Sequence, residues 1–197
     1  MLLSNRVSLS VHGIPWLMAL VLAAASAGRA QGLTPESAGQ AQGLIPESIG
    51  ARGGFSSGSV RTASFFQAEL FAEWNLPLRT ESDSGWFLQP KVSLSGGWLG
   101  GNGVNAVVGT AGPAFVFGQR RFPLSLEGGV SPTLLSQYQF GSADFGQTLQ
   151  FTTYLGLNLD LTRHWRLGYR HQHMSNGGLA RENPGLNLNM FALSYAF

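Results

Sequence analysis

Apolar and polar residues alternate at every second position in short segments of this chain, and no long apolar run accompanies them. In residues 65–77, FFQAELFAEWNLP, the side chains of Phe66, Ala68, Leu70, Ala72, Trp74 and Leu76 fall on one face and Gln67, Glu69, Glu73 and Asn75 on the other, because successive side chains of a strand point to opposite sides. Residues 85–99 repeat the pattern, with Trp86, Leu88, Val92, Leu94 and Trp98 opposed to Gln89, Lys91, Ser93 and Ser95. Residues 148–161 set Leu149, Phe151, Leu155, Leu157 and Leu159 against Gln150, Thr152, Asn158 and Asp160. Further alternating segments run over 123–135, 164–175 and 186–197, and fainter, glycine-rich ones over 50–59 and 103–118. That makes about eight strands, the smallest common transmembrane barrel. The fold expected is all-β: an eight-stranded antiparallel transmembrane β-barrel.

Composition decides which face looks outward. Charged residues are 11% of the chain, against roughly 25% in soluble domains. A soluble lipocalin-like barrel alternates too, but it turns a charge-rich face to water. Here the polar face carries isolated charges of both signs, Glu69, Glu73, Glu127, Lys91, Arg166 and Arg170, which suits a narrow lumen filled by paired side chains. No segment beyond the N-terminus approaches the ~18 apolar residues of a membrane helix. The net charge of +2 gives no reason to expect a nucleic-acid partner. The chain contains no cysteine, which excludes disulfides and thiolate chemistry.

Residues 1–30 have the pattern of a secretory signal peptide: Arg6, an apolar run over 14–25, then small residues at Ala25-Ser26-Ala27 and Gly28-Arg29-Ala30. Residues 31–49 hold a short duplication, QGLTPES and QGLIPES, and are expected to be a linker. The barrel is expected over 50–197, in the outer membrane of a Gram-negative bacterium. The terminal Tyr195-Ala196-Phe197 is similar to the aromatic signal that closes such barrels.

With both termini in the periplasm, odd-numbered strands run outward. Segments 118–122 and 161–163 are then periplasmic turns, and 136–147 and 176–185 outer loops. The seventh strand carries Trp165, Leu167, Tyr169, His171, His173 and Ser175 on its lipid-facing side, and Arg166 and Arg170 on its lumen side. A histidine and a serine therefore sit two residues apart at the level of the outer leaflet, as a base and the hydroxyl it activates must. His171 reads as an interface marker. If Trp165 pairs with Tyr195 across the last hairpin, the same register sets His173 opposite Asn187. No carboxylate clearly completes a metal site with His171 and His173, and neither metal nor cofactor is expected.

The block His173-Met174-Ser175-Asn176-Gly177-Gly178-Leu179, followed by Asn183-Pro184-Gly185, resembles the signature of the PagL family of outer-membrane lipid A 3-O-deacylases. The close likeness covers residues 169–187. The resemblance implies an eight-stranded barrel that hydrolyses the 3-linked ester of lipid A, within lipopolysaccharide, and releases a hydroxy fatty acid. It implies Ser175 as nucleophile, His173 as general base, and an oxyanion hole from Asn176 and a backbone N–H of Gly177 or Gly178. The family's best-known form has a glutamate where this chain has Asn187. Asn187 is therefore the candidate third member, with the loop residue Glu182 as the other candidate. Two further readings compete: a non-catalytic small barrel with a structural or adhesive role, and a lipid-binding or acyl-transfer barrel. A homo-oligomer is compatible with all of them.

Overall fold

Turn residues cut the chain into strands whose lengths suit a bilayer. In the computed structural model, which describes residues 45–58, 60 and 63–197, the strands are β1 (Ser48–Ser56), β2 (Phe65–Asn75), β3 (Thr80–Glu81), β4 (Trp86–Gly101), β5 (Val104–Gln119), β6 (Leu124–Leu135), β7 (Gln139–Phe140), β8 (Ala143–Asp144), β9 (Leu149–Asp160), β10 (Trp165–Ser175) and β11 (Leu186–Ala196). The expected signal peptide and most of the expected linker lie outside the described residues. β1 starts at Ser48, two residues before the expected boundary.

Eight long strands close on themselves. Each pairs antiparallel with its neighbours in the order β2-β1-β11-β10-β9-β6-β5-β4, and β2 pairs with β4 to complete the ring. Closure leaves no unpaired edge in the hydrocarbon region, where an unsatisfied backbone group would be costly. The three two-residue strands were not foreseen: β3 extends the sheet beside β4, and β7 and β8 form a small hairpin in the loop after β6. β4 and β5 are joined by Asn102-Gly103, both at positive φ (53° and 77°). That is the backbone a two-residue type I′ hairpin needs. The outer end thus includes one tight turn, while the β2–β4 connection at the other end is longer than the short turns expected there.

Alternation places the side chains as expected. Gln67, Glu69 and Glu73 of β2 are buried in the lumen, while Phe66 faces out. Glu69 is held between Arg52 and Arg170, with Arg170 Nη2 at 3.0 Å and Ser95 Oγ at 2.9 Å. Lys91 Nζ reaches Glu73 at 2.8 Å. Glu127 accepts from the Tyr154 hydroxyl at 2.9 Å and from Asn158 Nδ2 at 2.7 Å. Leu94, Trp98, Leu155 and Phe191 are exposed on the outer wall. Aromatic pairs mark its two ends: Trp165 and Phe197 against Tyr195 near the C-terminus, and Phe66 against Trp98 at the opposite rim. Such girdles are where amphipathic rings meet the two membrane interfaces.

The lumen departs from expectation at its outer end, where an apolar cluster is buried. Phe65, Phe140 and Phe145 pack edge to face with ring centroids 5.3–5.8 Å apart. Leu99, Met174, Leu186, Leu188 and Met190 join them in one buried cluster. Phe140 and Phe145 come from the loop after β6, which folds into the barrel mouth.

Candidate active site at the outer end of the last hairpin

β10 and β11 pair without a bulge from Trp165 opposite Tyr195 to Met174 opposite Leu186. The inward residues Met174, Leu186 and Leu188 are fully buried in the apolar cluster. Their outward neighbours are thereby fixed in place. A one-residue slip would expel these side chains from the cluster, so the register is strongly specified.

His173 lies directly opposite Asn187, and its Nδ1 is 2.8 Å from Asn187 Oδ1. An amide oxygen only accepts, so the imidazole proton sits on Nδ1 and the Nε2 lone pair is left available. The ring rests against Gly185, whose φ is +67°; a β-carbon there would come within 2.9 Å of His173 Cε1. Glycine is therefore required twice at this position, for its backbone conformation and for the room it leaves the imidazole. Ser175 follows two residues later on the same face, opposite Phe151 of β9. Alternate strand residues are about 6.8 Å apart.

The turn after Ser175 is built around Asn176, which is completely buried. Its Nδ2 donates to the carbonyls of Phe145 at 3.0 Å and Glu182 at 2.7 Å, and its Oδ1 accepts from Gly178 N–H at 2.9 Å. Asn176 N–H donates to Asn183 Oδ1 at 3.1 Å. The Asn176 amide side chain therefore ties two outer loops together. Of the backbone N–H groups at Asn176, Gly177 and Gly178, that of Gly177 has no partner among the described residues. Gly177 is exposed, with φ +66°.

The hairpin brings together Ser175, His173, Asn187 and the Asn176–Gly178 turn. His173 Nδ1–H donates to Asn187 Oδ1, while Glu182 contributes its main-chain carbonyl to the loop. Three contributions were not read from the sequence. Asn183 caps the turn, although its place in the Asn-x-Gly element was a signal. Phe145 supplies both a floor ring and a carbonyl, and carried no signal in a loop. Asn189 accepts from His171 Nδ1 at 3.1 Å and from the Tyr169 hydroxyl at 3.0 Å.

A closed eight-stranded barrel with an apolar outer wall, aromatic girdles and a charge-paired lumen is an outer-membrane β-barrel. The sequence profile of the family described as lipid A 3-O-deacylase (PagL) matches residues 67–196, and the chain belongs to that family. The chain is 31% identical over 114 residues to the lipid A deacylase PagL of Bordetella bronchiseptica, a match that spans 56% of this chain and 62% of that relative. Its fold is similar to the crystal structure of the outer membrane enzyme PagL, with a TM-score of 0.65, 18% identity, and coverage of 76% of this chain and 99% of that one.

Proposed function

We propose that this chain is an outer-membrane esterase that removes the 3-O-linked acyl chain of lipid A, with Ser175 as nucleophile and His173 as general base. Family membership supports the substrate. The observation that carries the mechanism is the 2.8 Å contact between His173 Nδ1 and Asn187 Oδ1. It orients the ring and leaves Nε2 free to take the Ser175 proton, the division of labour of a Ser-His-acid triad.

Ser175 Oγ attacks the ester carbonyl as His173 Nε2 accepts its proton. The developing oxyanion is met by the Asn176–Gly178 turn, where the Gly177 N–H, without a partner among the described residues, is the available donor; a donor aimed at such a charge contributes about 3–4 kcal/mol. His173 returns the proton to the departing sugar oxygen. A water molecule, activated by the same nitrogen, then hydrolyses the acyl-enzyme and frees the hydroxy fatty acid. Asn187 accepts the same hydrogen bond as a carboxylate but supplies no negative charge to the imidazolium. The outward-facing site at the outer end of β10 suits a substrate that never leaves its leaflet.

Mass spectrometry of lipid A from Gram-negative cells with and without the protein tests this reading. The expected result is a new species lacking one hydroxyacyl chain, absent when His173→Ala is expressed at the same level. An unchanged lipid A profile in cells with folded wild-type barrel would contradict it.

A further inference from the structure

The base is one of two histidines held in the same way. His171 precedes it by two residues on the same outward face of β10, and Asn189 follows Asn187 by two on β11. Each histidine presents Nδ1 to the Oδ1 of the asparagine opposite, at 3.1 Å for His171 and 2.8 Å for His173. Asn189 Oδ1 is further fixed by the Tyr169 hydroxyl at 3.0 Å. Both imidazoles are therefore protonated on Nδ1 and carry their lone pair on Nε2. Both are exposed. An interfacial histidine needs no such partner. A metal-ligating one characteristically has it, because a hydrogen bond from the non-ligating nitrogen fixes tautomer and ring direction and makes the other nitrogen a better donor.

We propose that His171 and His173 form a two-histidine site for a divalent transition-metal ion of the zinc or copper class, and that its occupancy switches the enzyme off. Imidazole nitrogen suits these ions. Alternate residues of one strand face are about 6.8 Å apart, so shared binding requires side-chain rotations that bring the two Nε2 atoms onto one ion at about 2.0–2.1 Å each. Among the described residues no group of three or more His, Cys, Asp or Glu side chains gathers, so the other positions are filled by water or lipid-headgroup oxygens. The site is thus an open, reversible one. The ion takes the same His173 lone pair that must accept the Ser175 proton, so metal binding and base catalysis exclude each other. The inhibitory half of this proposal rests on the esterase reading above; the binding half does not.

The test uses tag-free barrel in detergent, with zinc chloride and copper sulfate as probes. Calorimetry is expected to find one ion per chain, bound at least tenfold more tightly by wild type than by His171→Ala or His173→Ala. His164→Ala removes the third described histidine, which stacks on Tyr195 at the far end of β10, and binds as wild type does. The copper spectrum is expected to show coupling to two imidazole nitrogens, reduced to one in either variant. His171→Ala is expected to keep its basal deacylation rate and to need at least tenfold more zinc for half-inhibition. Equal metal affinity in wild type and His171→Ala would overturn the site. Equal zinc sensitivity of the two would overturn the switch. Two-histidine binding in a barrel without any deacylase activity would uphold the site and refute the esterase reading.

Discussion

Asn187 makes the hydrogen bond that a triad carboxylate would make, without the charge. Removing it frees the imidazole to turn and to change tautomer. Asn187→Ala is expected to lower turnover by roughly ten- to hundredfold, the rate equivalent of losing about 1–3 kcal/mol, with little change in barrel stability because the side chain is exposed. Asn187→Glu is expected to match or exceed wild type, since a carboxylate accepts the same bond and stabilises the imidazolium during acyl transfer. Initial rates on lipid A in detergent check both. A fully active Asn187→Ala would mean that another group orients His173. This residue pair was legible in the sequence because alternation assigned each side chain a face and the Trp165–Tyr195 register fixed who stands opposite whom. The partnership of His171 with Asn189 was not, because a polar residue at a strand end reads equally well as an interface marker until its hydrogen bond is seen.

The last hairpin is as rigid as the floor beneath it. Met174, Leu186 and Leu188 anchor it in the apolar cluster, and the loop after β6 supplies Phe140 and Phe145 to the same cluster. The buried Asn176 amide then clamps that loop to the turn after β10 through Phe145 and Glu182 carbonyls. Asn176→Ala would leave both carbonyls and the Gly178 N–H without their partner; the cost is about 1–3 kcal/mol for the buried Phe145 carbonyl and less for the half-buried Glu182 and exposed Gly178 groups. The expected outcome is a folded barrel whose 176–185 loop is loose: trypsin should cut after Arg181 much faster than in wild type, and deacylation should fall. Protection of Arg181 equal to wild type would show that the clamp is not what orders the loop. Strand positions were readable from period-two patterning to within about three residues, the largest offset being the end of β1 at Ser56. The apolar cluster at the barrel mouth was not, because Phe140 and Phe145 sit in a segment whose polar, glycine-containing sequence gives no periodicity to say which side chains turn inward.

At the scale of the whole barrel, an apolar cluster fills the outer end of the lumen and charge pairing fills the rest. Glu69 lies at its centre, shared by Arg52 from β1 and Arg170 from β10, so it links the first strand to the last hairpin. Glu69→Gln would leave two buried guanidinium groups facing each other without their counter-charge. Breaking a buried ion pair in this way costs about 3–5 kcal/mol. A lower midpoint of heat-modified migration on gels, or of urea unfolding, is expected; an unchanged midpoint would mean that the lumen charges are dispensable. Five of the six charges expected in the lumen from alternation are buried there, and the sixth, the half-buried Arg166, pairs with Asp160 at 2.5 Å. Arg52 was missed because the glycines of β1 hide its alternation.

Ser175 is the proposed nucleophile, and catalysis depends on it above all. The most direct measurement is the fatty acid released from lipid A by purified wild-type and Ser175→Ala barrels, each shown to be folded by heat-modifiable migration. Wild type is expected to release one hydroxy fatty acid per lipid A, and Ser175→Ala to release it at a rate at least about a thousandfold lower, since loss of a triad member leaves only binding and oxyanion stabilisation. Release by Ser175→Ala at a rate near wild type would contradict it.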